Sequence, residues 1–187
     1  MPANAATILT VEDDPIVQAD LRLMLEDAGY IVCPGARDGV EAVEHARDHR
    51  PDLILMDLGL PRLDGVAATA QILAERDVAV VALTGRSNGA ALDRASEAGA
   101  VGHIVKPFSE GQLIEKLSDV LTERRARLER EWEQGHLMSM IESMSRRGYG
   151  ERQIVAAVRQ ATGWTEPAGG PGLVDRLKGL LRRVLGP

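Results

Sequence analysis

Residues 8–15 read Ile-Leu-Thr-Val-Glu-Asp-Asp-Pro, four strand-forming residues running straight into three carboxylates and a proline. A run this short and this rich in β-branched side chains suits a strand buried on both faces. Three further runs share the form. Leu53–Met56 leads into Asp57, Val78–Leu83 into Thr84, and Gly102–Val105 into Lys106-Pro107. Between them Leu21, Met24 and Leu25 follow helical spacing, as do Val40, Val43 and Ala46, and further helices are predicted over 65–75, 90–98 and from Glu110 onward. Gly29, Gly39 and Gly99 fall where those helices should stop or begin. The alternation predicts βαβ units, hence an α/β fold with a five-stranded parallel doubly wound sheet.

In an open parallel sheet the strand ends converge on one crevice, where ligands bind. Carboxylates from two strands, a hydroxyl from a third and an amine from a fourth would meet there. Such a set can hold a divalent cation and build a phosphoryl group on a carboxylate. Asp57, at the end of a buried strand, can act as the nucleophile. Asp13 is placed to join Asp57 in ligating Mg2+, with Glu12 reaching through water and Gly59 offering a backbone carbonyl. Lys106 supplies positive charge to a phosphoryl oxygen and Thr84 a hydrogen bond to another, and positioning with charge neutralisation is most of what phosphoryl transfer needs. Taken singly, each residue has an ordinary reading. Asp14-Pro15 looks like a helix cap, a Thr at a strand end is a polar boundary, and a Lys before Pro suits any exposed loop. The order in which they stand on successive strands carries the assignment.

The segments Val11-Glu12-Asp13-Asp14-Pro15, Leu55-Met56-Asp57, Leu60-Pro61, Asp64-Gly65, Leu83-Thr84-Gly85 and Val105-Lys106-Pro107-Phe108 together resemble the receiver domain of bacterial two-component response regulators. The resemblance covers about residues 6–123. It implies a flavodoxin-like sheet of strand order 2-1-3-4-5, with Asp57 as phosphoacceptor, Asp13 as direct metal ligand and Glu12 as the water-mediated one. It also implies Lys106 as the phosphate-pairing cation, Thr84 as the switch hydroxyl and a cis peptide before Pro107. The implied phosphoryl donor is a histidine kinase or a histidine phosphotransfer protein. Where that family carries an aromatic residue three positions before the lysine, this chain has His103, which either takes the part of the rotating ring or lies exposed on the signalling face.

Composition agrees with a folded protein: 44% apolar and 27% charged residues over 187 positions make an ordinary globular balance. Aromatic residues are only 3%, so the core must be aliphatic. The single cysteine, Cys33 in the apolar run Tyr30–Cys33, rules out an internal disulfide and suits a small buried position. No run reaches the roughly 18 apolar residues of a membrane span, and no leader of signal-peptide type is visible. A cytoplasmic location without membrane contact is expected.

Charge divides the chain. Residues 1–123 carry 10 basic and 21 acidic side chains, a net of −11, whereas residues 124–187 carry 12 and 7, a net of +5. An acidic first part joined to a basic second part suggests two jobs. The expected organisation is a receiver domain over 1–123, a helical connector continuing the fifth helix over 124–135, and a helical module over 136–187. Three short amphipathic segments mark that module: Leu137/Ile141/Met144, Ile154/Val155/Val158 and Leu173/Leu177/Leu180/Val184, forming a small three-helix unit. Its layout resembles that of antitermination regulators with ANTAR domains, which implies RNA as partner, with Arg146, Arg147, Arg152 and Arg159 on phosphates and Tyr149 stacking on a base. A protein-interaction or dimerisation module, from another class, stands level with RNA, its apolar stripes Leu137/Ile141/Met144 and Leu173/Leu177/Leu180 facing a protein partner, a second copy or the receiver itself. A DNA-binding helix-turn-helix fits less well, because its recognition helix would fall in the Pro- and Gly-containing stretch 165–172. No enzymatic output motif is visible beyond residue 123, so the output is expected not to be an enzyme.

Overall fold

The computed structural model describes residues 6–85 and 89–162. In chain order the elements are β1 (Thr7–Val11), α1 (Pro15–Asp27), β2 (Ile31–Val32), α2 (Gly39–His49), β3 (Leu53–Asp57), α3 (Gly65–Glu75), β4 (Ala79–Gly85), α4 (Gly89–Glu97), β5 (Gly102–Lys106), α5 (Glu110–Arg146) and α6 (Glu151–Thr162). The five strands form one parallel sheet in the order β2-β1-β3-β4-β5, the flavodoxin-like arrangement. The chain divides into two compact units between Arg125 and Ala126.

Strand periodicity explains the layers of the first unit. Successive side chains point to opposite faces of a strand. Leu9, Val11, Ile54, Met56 and Val80 therefore share one face, where they pack on Ala42 and Ala46 of α2 and Ala68 and Ile72 of α3. Ile8, Leu53, Leu55, Val81 and Leu83 share the other, against Leu21 and Leu25 of α1 and Leu113 and Leu117 of α5. Each fully buried Leu or Ile contributes on the order of 1.5–3 kcal/mol, and Tyr30 and Phe108 pack against the edge of the second layer. Cys33 lies buried in the first of these layers.

The sheet runs further than the apolar runs that announce it. Asp57 and Lys106 are the last residues of β3 and β5, and Thr84 lies inside β4, because the ladder continues through Asp57↔Leu83, Thr84↔Val105 and Gly85↔Lys106. Backbone pairing is indifferent to the polarity of the side chain it carries. The polar residues are thereby held by strand geometry rather than by loops.

In the second unit, Ile141 of α5 packs with Ile154, Val155 and Val158 of α6, with Leu137, Met140 and Met144 beside them. This corrects one expectation. The segment Leu137/Ile141/Met144 is the continuation of α5, not a separate helix beyond Gly135. An internal glycine costs a helix only about 1 kcal/mol against alanine, and packing on α6 offsets that. The chain turns at Gly148 instead, which adopts φ +82°. There the Tyr149 amide donates to Met144 O at 3.1 Å and the Gly148 amide to Ser145 O at 2.9 Å, the paired bonds of a glycine-ended helix. The segment Leu173–Val184 lies outside the described residues. No helix among the described residues is long and apolar enough to cross a membrane.

Candidate functional site

The ends of β1, β3 and β5 bring four charged side chains together. Glu12 follows β1 and is 2% exposed. Its amide donates to Ala36 O at 3.0 Å, which fixes the backbone where the acidic cluster begins. Asp13 beside it is exposed, and carboxylate oxygens of Glu12, Asp13 and Asp57 all lie within 4.8 Å of one another. Asp14 stands apart: its Oδ1 accepts from the Ile16 and Val17 amides at 2.8 and 3.3 Å and caps α1, with Pro15 in the first turn.

Lys106 closes the cluster. Its Nζ donates to Glu12 Oε2 and to Asp57 Oδ2, each at 2.5 Å. The Lys106-Pro107 peptide is cis. Burial pushes the Glu12 carboxyl above its usual range; the hydrogen bond from Lys106 opposes this and the charge of Asp57 adds to it. Burial works against the Lys106 ammonium, yet its bonds to Asp57 and Glu12 prevail and hold it above the usual lysine value. Three carboxylates against one ammonium leave a surplus of negative charge. All are hard oxygen donors on adjoining strand ends, the donor set that a Mg2+ ion with several waters takes.

Backbone geometry completes the surroundings of Asp57. The Gly59 amide donates to Asp57 Oδ1 at 2.9 Å, so this residue approaches the carboxylate through its N–H. Gly65 opens α3 directly against the strand end: a Cβ there would come within 2.0 Å of Asp57 O. The glycine therefore lets α3 begin at that spot.

Thr84 is buried, and its Oγ1 donates to Gly85 O at 3.2 Å. Among the described residues no hydrogen bond joins it to Asp57 or Lys106. His103 is exposed on β5, in a groove with Val105, Phe108, Gln112, Lys116 and Asp119. No hydrogen bond or ion pair of the described residues links His103 to Thr84. The structure thus brings Glu12, Asp13, Asp57, Gly59 and Lys106 together and leaves His103 outside that group. Sequence reasoning missed Ala36 as the backbone anchor of Glu12, since a carbonyl partner carries no side-chain signal.

Comparison with known proteins agrees with this geometry. Residues 8–118 match the family described as the response regulator receiver domain. The chain is 43% identical over 107 residues to the transcriptional regulatory protein PdtaR of Mycobacterium tuberculosis, covering 57% of this chain and 52% of that one. It is 34% identical over 119 residues to the chemotaxis protein CheY of Halobacterium salinarum, covering 63% of this chain and 98% of that one. The chain thus spans about half the length of PdtaR. Among solved structures, the receiver domain of sensor histidine kinase PA1611 from Pseudomonas aeruginosa, which has a magnesium ion in its active site cleft, is 36% identical with a TM-score of 0.59 over 64% of this chain and 99% of that one.

Proposed function

The chain belongs to the response regulator receiver family, and on that premise we propose that it accepts a phosphoryl group on Asp57 and relays the change to its helical second part. The observation that carries this reading is the bridge from Lys106 to both Asp57 and Glu12 at 2.5 Å, with Asp13 in the same cluster. An Asp57 carboxylate oxygen attacks the phosphorus of a phosphohistidine on a kinase or phosphotransfer protein. The new P–O bond forms as the P–N bond breaks, and the imidazole departs with the electron pair. Asp13, Asp57, the Gly59 carbonyl and, through water, Glu12 are the residues that would hold Mg2+. When bound, that ion neutralises charge on the phosphoryl oxygens.

Lys106 already faces the acceptor oxygen, so it passes to a phosphoryl oxygen with little movement. The Thr84 hydroxyl, now satisfied by its neighbour's carbonyl, turns to another phosphoryl oxygen and draws its loop along. His103, exposed on the same strand as Lys106, offers that change to a partner. In this reading residues 1–123 are the receiver, 124–135 the connector and 136–187 the output module, in a signalling protein rather than an enzyme.

For the output we propose RNA. Arg146, Arg147, Arg152 and Tyr149 are exposed around the α5–α6 turn, a basic surface with an aromatic ring at its tip. Two experiments test the whole. Acetyl phosphate with Mg2+ should add one phosphoryl group to the wild type and none to Asp57→Asn; labelling of that variant would sink the assignment. Retention of random RNA and duplex DNA pools, with and without beryllofluoride and at two salt concentrations, tests the output. RNA retained with the mimic and released by salt supports the reading. DNA retained instead, or neither with a change of oligomeric state, replaces it with a DNA or a protein partner.

A further inference from the structure

Asp57 and α3 are joined by the loop 58–64, and the middle of that loop is held from another element. Asp38, just before α2, is buried and divides its two carboxylate oxygens. Its Oδ1 accepts from the Val40 and Glu41 amides at 2.8 and 3.0 Å, capping α2. Its Oδ2 forms an ion pair with Arg62 Nη1 at 2.8 Å. The next residue reinforces the contact: the Gly39 amide donates to Leu63 O at 3.2 Å, and a Cβ on Gly39 would come within 2.2 Å of that oxygen. Arg62 holds φ +64°, a conformation that a side-chain-bearing residue keeps only where its surroundings over-determine it.

The same short segment also touches the acidic cluster. Ala36 O accepts from the Glu12 amide at 3.0 Å and from Gln18 Nε2 at 2.8 Å. Residues 36–39 therefore tie the strand end that carries Glu12 to the loop that follows Asp57. The Arg62 side chain is 59% exposed, so its ion pair adds little to the stability of the fold.

We infer that Asp38 and Arg62 form a positioning pair for the acidic site, holding the Gly59 backbone and the Asp57 carboxylate in register with Glu12 and Asp13. The inference rests on the reading of Asp57 as phosphoacceptor. Its consequence is that the affinity for a divalent cation and the rate of phosphoryl uptake depend on a pair that touches neither.

The test uses the full chain, with Mg2+ affinity by titration calorimetry, acetyl phosphate uptake by mass and Tm measured together. Asn caps a helix as well as Asp does, so Asp38→Asn removes the ion pair and keeps the cap. Asp38→Asn and Arg62→Gln should each weaken Mg2+ binding severalfold and slow uptake, with Tm unchanged. The loss should reach at most about 10-fold, the low end for a partner bonded directly to a ligand, because this pair acts through the loop backbone. The double variant should be no worse than either single, because both remove one interaction, and Arg62→Lys should recover most of the affinity. Wild-type Mg2+ affinity in both single variants would overturn the pair, as would fully additive losses or losses that follow Tm. A wild type that neither binds Mg2+ nor takes up a phosphoryl group would overturn the phosphoacceptor reading, and this inference with it.

Discussion

Lys106 Nζ lies 2.5 Å from Asp57 Oδ2, although the two residues are 49 positions apart and stand on β5 and β3, with β4 between them in the sheet. The ammonium spans the end of β4 and also reaches Glu12 on the far side of Asp57. It thereby neutralises part of a carboxylate cluster that would otherwise repel itself.

Lys106→Met should destabilise the metal-free protein by about 1–3 kcal/mol, the usual cost of leaving a partly buried polar group without its partner. Chemical denaturation measures this. The Lys106 pKa is raised from 10.5 in the folded state, so its contribution is fully present below that value and lost as pH rises through the higher folded value. The difference between wild type and variant should hence be flat from about pH 7 to about pH 9 and shrink only in stronger alkali. Because a competing cation is gone, the variant should also bind Mg2+ more tightly. Weaker binding would mean that Lys106 organises the ligands instead.

Asp13→Ala should weaken Mg2+ binding at least about 10-fold, since loss of an outer-shell partner alone costs that much. Asp13 is exposed and lies outside the buried core. Its Tm without metal should stay near that of the wild type. Unchanged affinity on calorimetry would remove Asp13 from the ligand set.

Gly65→Ala should cost about 1–3 kcal/mol or more, the range for overfilling a close-packed site. The new methyl group would have to displace the Asp57 backbone, which it would approach to 2.0 Å. Urea denaturation with acetyl phosphate uptake measured in parallel should show both falling. A variant as stable as wild type would show that α3 can shift without moving Asp57.

Ile154→Ala should loosen the second unit selectively. Ile154 is fully buried among Ile141, Val155 and Val158, and such a truncation costs about 2–5 kcal/mol. A loss of helical circular dichroism with unchanged labelling of Asp57 is expected. Loss of labelling as well would mean that the receiver depends on this unit to fold.

Short apolar runs ending in acidic, hydroxyl and amine residues were enough to read a parallel α/β sheet and the residues at its strand ends. Burial on both faces demands continuous apolar strands, and the rule that ligands gather at their carboxyl ends needs no coordinates. The length of α5 was not legible in the same way. Gly135 looks like a stop in sequence, and only the contacts of Leu137, Ile141 and Met144 with α6 carry the helix on to Arg146. The position of His103 was open as well, because one residue on an edge strand can face either way until its neighbours are known.

The sequence by itself determined the fold class and which side chains stand at the ends of the strands, since both follow from local periodicity and from the order of elements along the chain. Tertiary structure alone decided the rest: that Lys106 bonds Glu12 as well as Asp57, that Ala36 O anchors the acidic strand end, and that Asp38 holds Arg62 across the loop after Asp57. Those are contacts between distant segments, two of them made through backbone carbonyls or a second carboxylate oxygen. Such pairings depend on distances of a few tenths of an ångström, which packing fixes and spacing along a chain does not.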